Sequence, residues 1–107
     1  IPIGAYAPRW FMKDQHVDPH EAVRIFEMVD ARQAVAIHWG VFQLTDEARD
    51  EPPRRLAQAL TEAGIEAGRF VAPEPGTALV YAGTLASIAD QASDRVAANL
   101  VDNSNPF

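Results

Sequence analysis

Residues 18–40, DPHEAVRIFEMVDARQAVAIHWG, place a helix start, an apolar helix face and a strand in direct succession. Asp18 can accept the free amide hydrogens of a helix N-terminus, Pro19 suits the first helical position, and Glu21 completes a capping box. Ala22, Ile25, Phe26 and Val29 recur at i, i+3, i+4 and i+7, which predicts one apolar face of a helix ending near Arg32. Ala34 to Ile37 then reads as a buried strand, and His38, Trp39 and Gly40 fall where it ends.

Outward from this unit the alternation continues. Ile1 to Tyr6 reads as a short strand with Gly4 inside it, and Pro8 to Val17 as a loop. Phe42 to Leu44 is apolar and Thr45 to Asp50 a polar loop. Pro52-Pro53 opens a second helix with the face Leu56, Ala59, Leu60 and Ala63, and Gly64 is placed to cap its end. Phe70 to Ala72 and Ala78 to Tyr81 read as strands around the turn PEPG. Leu85, Ile88, Ala89, Ala92 and Val96 mark a third helix. Strands alternating with helices predict an α/β layered domain.

Composition narrows the function classes. The 107 residues are 48% hydrophobic and 22% charged, as in ordinary globular proteins. The net charge is −6 and the densest basic cluster is Arg54-Arg55, so a nucleic-acid partner is not expected. Absence of cysteine removes disulfides, thiolate nucleophiles and thiolate metal ligands. No apolar run is long enough for a transmembrane segment, which gives the expectation of a cytoplasmic or membrane-peripheral protein. The opening at Ile1, without methionine or signal pattern, gives the expectation of a piece of a longer protein.

Two histidines carry the candidate chemistry. His38 sits at the C-terminal end of a strand, where layered α/β proteins place functional side chains; a histidine hydrogen-bonded at the core rim is the alternative. His16 lies in DQHVDP just before the first helix, with Gln15 beside it as an anion donor or a solvated amide. His20, in the first helical turn where a cation is disfavoured, reads as surface. Gly40 permits a turn that a side chain would block, and Trp39 reads as packing. Two histidines are too few for a closed metal site, which needs about four ligands.

The stretches IPIGAYAPRWFMKDQHVDPHEAVRIF, AIHWGVF and EPPRRLAQAL, in this order and spacing, resemble the C-terminal part of metallo-β-lactamase-fold hydrolases. Within that superfamily they resemble the N-acyl-phosphatidylethanolamine phospholipase D group, over about residues 1–82. The resemblance implies the C-terminal portion of a four-layer αβ/βα fold, followed by a helical tail over 83–107. It assigns His38, in IHWG, to the last ligand position of a site holding two zinc ions. The family's HxHxDH motif and bridging aspartate are absent from these residues, so the 107 residues alone are expected to be inactive and to need the missing N-terminal part. His16 and Gln15 map to the family's active-site QHVDP element and become substrate-side contacts. The resemblance implies a histidine at position 26, as in the mammalian members of the group; Phe26 departs from it, which counts against the particular lipid substrate but not against the metal chemistry.

The implied mechanism is attack by a metal-bound hydroxide on a phosphodiester, with His16 hydrogen-bonding the developing charge. Trp10, Phe11 and Met12 would line the mouth for acyl chains of a phospholipid substrate, or pack within the loop. A lactonase acting on a phosphorylated sugar acid and a non-enzymatic α/β interaction domain are the alternatives. Uncovered strand edges and apolar surface also raise self-association into a homo-oligomer.

Overall fold

The computed structural model describes residues 1–80. Helix α1 spans Arg9–Met12, α2 Pro19–Met28 and α3 Glu51–Glu62; strands β1 and β2 are Ala34–Val35 and Phe70–Val71, the latter preceded by a 3-10 turn over Ala67–Arg69. Residues 1–77 form one compact unit. The boundary expected near residue 82 and the third helix lie outside the described residues.

The extended segments run parallel. Ala34 pairs with Phe70 and Val35 with Val71, and the Ala36 amide donates to the Val71 carbonyl at 2.8 Å. On the other side of the same segment, the Ile1 nitrogen donates to Val35 O, Ile37 N to Ile1 O and Ile3 N to Ile37 O. Residues 34–37 therefore lie between residues 1–3 and β2, and α2 and α3 each lie within one of the two connections. Parallel neighbours need crossovers of a dozen or more residues, and helices supply them here. The α/β expectation holds at this level.

α2 begins as its sequence dictates. The Glu21 amide donates to Asp18 Oδ1 at 2.8 Å, and the Asp18 amide donates to Glu21 Oε2 at 3.3 Å. The helix ends at Met28, short of Arg32, because Asp30 turns the chain with φ of 51°. Val29 consequently points outward, and the buried face is Pro19, Ala22, Val23 and Phe26. α3 buries Leu56, Ala59 and Leu60 against it, while Ala63 is exposed. Gly64, with φ of 69°, ends α3: its amide donates to Thr61 O and that of Ile65 to Leu60 O, a Schellman closure.

The core joins Ile3, the α2 and α3 faces, Ala36, Trp39 and Phe70. Phe26 stacks on Phe70 with centroids 5.5 Å apart, so position 26 is a packing position. Three further expectations are corrected. Residues 1–6 make a single bridge, Pro2 to Ile37, because Ala5 adopts φ of 61° and turns the chain away. Residues 9–12 of the expected loop form α1. No strand forms over residues 78–80, and Tyr81 lies outside the described residues.

Candidate functional site

His38 owes its position to its neighbours. Trp39 is buried in the core, Ala36 is buried on the strand, and Ile37 and His38 are exposed between them. To pass from an outward Ile37 to an inward Trp39 the chain takes a left-handed turn at His38, φ 62°, followed by Gly40 at 79°. For a residue with a Cβ that conformation costs about 1–2 kcal/mol, so the surroundings must hold it. Gly4 is one such restraint: a Cβ there would overlap the His38 carbonyl oxygen and lie 3.1 Å from its carbon and 3.2 Å from Trp39 Cα. Arg49 is another. Its Nε donates to Gly40 O at 2.8 Å, its Nη2 to Glu74 at 2.9 Å, and its guanidinium lies 5.9 Å from the Trp39 ring centroid.

The segment packed against this turn is fixed from the far side. Glu47 accepts the Tyr6 and Ala7 amides at 3.2 and 3.1 Å. Burial disfavours ionisation of Glu47, but hydrogen bonds from Thr45 and from the Glu47, Ala7 and Tyr6 amides outweigh it and hold its pKa below the ordinary value. The Tyr6 hydroxyl donates to Glu51 at 2.7 Å; burial and that carboxylate raise its pKa.

His16 arrives from the end of the α1 turn, its amide bonded to Met12 O at 2.9 Å. Its ring stacks on that of His38, centroids 5.1 Å apart and planes 18° from parallel. The fold thus joins the two histidines separated by 22 positions in the sequence. Neither imidazole has a hydrogen-bond partner among the described residues. Gln15, next to His16 in the chain, is exposed, its backbone amide also bonded to Met12 O. Trp10 and Phe11 are exposed on α1 and meet edge to face at 5.7 Å. His20 lies at the surface in the first turn of α2, its Nε2 3.2 Å from Glu62 on α3.

A cleft of about 360 Å³ opens beside His38. Its apolar walls are Trp39, Val41, Phe42, Leu44 and Pro52, with Glu47 and Arg49 at its polar side. Trp10 and Phe11 do not line it. The run VFQL after Gly40 was the sequence signal for these walls. Among the described residues no three His, Asp or Glu side chains cluster to hold a metal ion. No helix among them is long and apolar enough to cross a membrane.

Residues 1–39 match the beta-lactamase superfamily domain. The chain resembles this superfamily. The matched segment ends one residue beyond His38 and so contains both stacked histidines. The chain is 48% identical over 61 residues to N-acyl-phosphatidylethanolamine-hydrolyzing phospholipase D 1 of Caenorhabditis elegans, covering 56% of this chain and 17% of that protein. It is 37% identical over 76 residues to the mitochondrial N-acyl-phosphatidylethanolamine-hydrolyzing phospholipase D of Saccharomyces cerevisiae, covering 71% and 16%. An uncharacterized protein of Mycobacterium tuberculosis is 40% identical over 62 residues, covering 55% and 16%. The chain therefore spans about one-sixth of the length of these curated relatives.

Proposed function

We propose that these residues form part of a zinc-dependent hydrolase of the four-layer metallo-β-lactamase fold, acting on the phosphodiester of N-acylated phospholipids. One observation carries this reading: two imidazoles are stacked at a strand end, inside the segment that resembles the superfamily. Two relatives are named as hydrolysing N-acyl-phosphatidylethanolamine, which supports the substrate class.

The donor chemistry of His38 suits zinc. A neutral imidazole is a common ligand, and this one is exposed and held by a fixed turn. Protein zinc sites use three or four ligands, so His38 is one member of a set completed outside residues 1–80. Bound zinc would supply Lewis acidity and lower the pKa of a water at the site. The chain's own residues do the rest. His16, flat against His38, hydrogen-bonds the phosphoryl oxygen on which charge develops. Gln15 donates its amide to the same phosphate. Trp10 and Phe11 give apolar contact to the acyl chains.

The test is a pair of variants in the complete protein. His38→Ala should lose close to one zinc per molecule together with activity. His16→Ala should keep its zinc while turnover falls by about a hundredfold, the usual scale for a lost catalytic proton donor or acceptor. Full zinc and normal turnover in His38→Ala refute the ligand role, and unchanged kinetics in His16→Ala refute the substrate-side role.

A further inference from the structure

We infer that Arg9 is the positioning residue for the His16–His38 pair; the inference deepens the reading above and rests on it for the chemistry the pair performs. Arg9 opens α1, and its side chain is 29% exposed. Its Nη1 donates to the His16 carbonyl at 2.9 Å and the Tyr6 carbonyl at 3.4 Å. Its Nη2 donates to Glu21 Oε1 at 2.9 Å, and Nε lies 3.6 Å from Asp18 Oδ2. Three segments meet on one planar cation.

Each contact restrains a carrier of the pair. The His16 carbonyl belongs to the residue whose ring stacks on His38. The Tyr6 carbonyl belongs to the segment beginning at Gly4, whose backbone lies against His38. Glu21 and Asp18 are the capping box of α2, so the cation is anchored on a helix end already fixed by the core. The backbone amides of Lys13, Gln15 and His16 donate only back into α1, to Arg9 and Met12. Beside the chain itself, where Val17 packs against the core before the Asp18 cap, Arg9 adds a side-chain tie from the His16 carbonyl to α2. Its rigid fork serves several acceptors at fixed angles, which the single ammonium of lysine does not reproduce.

The experiment uses Arg9→Lys in the complete protein, which keeps the charge and removes the fork. The expected kcat falls tenfold to a hundredfold, the scale of a misplacement of about 1 Å, while KM and zinc content stay near those of the parent. A direct readout comes from zinc-free, 13C-histidine-labelled protein, where the nuclear Overhauser contact between the His16 and His38 rings should be present in the parent and lost in Arg9→Lys. Arg69→Lys is the control. Arg69 makes a comparable clamp elsewhere, bonding Arg32 O and Ala31 O at 3.1 and 3.0 Å, and its replacement should lower Tm without touching the ring contact. A parent-like ring contact and kcat in Arg9→Lys overturn the inference. Should that variant not fold, the 15N signals of the Arg9 guanidinium in the parent decide. Slowly exchanging Nη protons support the clamp, and averaged, solvent-exchanging ones overturn it. A parent that shows the ring contact but hydrolyses no phosphodiester would sink the proposed function and leave the positioning role standing.

Discussion

Replacing Gly4 with alanine isolates the restraint on His38 from general stability. Gly4 lies outside the positive-φ region, unlike Gly40, Gly64 and Gly76, so alanine suits its backbone and only space is at issue. The new methyl would overlap the His38 carbonyl oxygen while standing 3.1 Å from its carbon. Relieving that contact requires a shift of about 1 Å in one of the two backbones. Overpacking of this kind costs roughly 1–3 kcal/mol. A displacement of about 1 Å at a reacting site can cost about a hundredfold in turnover. Gly64→Ala provides the opposite case, with nothing within 4 Å of the added carbon but φ of 69°. It should lose about 1–2 kcal/mol and leave the site alone. Thermal unfolding, zinc content and phosphodiester turnover of the complete protein separate the two. Gly4→Ala should lose turnover out of proportion to its stability, and Gly64→Ala should lose stability only. Parent-like turnover in Gly4→Ala would refute the claim that this close approach holds His38.

Glu47→Gln should destabilise the protein by about 1 kcal/mol near neutral pH, from charge-assisted hydrogen bonds discounted for partial exposure. Because the folded pKa of Glu47 lies below its ordinary value of 4.5, its stabilisation is present above pH 4.5 and lost as pH falls through the folded value. Denaturant melts of parent and variant should therefore converge on acidification, and a constant gap would contradict the sign. Asp18→Ala should cost about 0.5–2 kcal/mol through the lost cap of α2, measured by the same melts. Phe26→Ala should cost about 3–5 kcal/mol by emptying the stack on Phe70, with zinc content unchanged in whatever folds; loss of zinc at native temperature would show that position 26 reaches the site after all.

The elements with local signals were legible in the sequence. Asp18, Pro19 and Glu21 start α2 through contacts within one turn, and Gly64 ends α3 with bonds to residues three and five back, so neighbours in sequence suffice. The end of α2 was not legible, because the left-handed turn at Asp30 leaves apolar Val29 looking like part of the buried face. α1 was missed because four residues carry no full period. The exposure of His38 follows from the burial of Trp39, which its indole suggested. The stacking of His16 on His38 depends on Arg9 reaching Glu21 and Tyr6, and no spacing rule announces a guanidinium shared by three segments.

The burial of Trp39 also gives this chain a built-in optical sensor. Its two tryptophans differ sharply in surroundings: Trp10 is 80% exposed and Trp39 is 9% exposed. Acrylamide should quench the red-shifted emission of Trp10 first and leave a blue-shifted component from the indole next to His38. That residual fluorescence reports on the footing of the histidine, so occupancy or distortion of the strand end becomes visible without a substrate or a label.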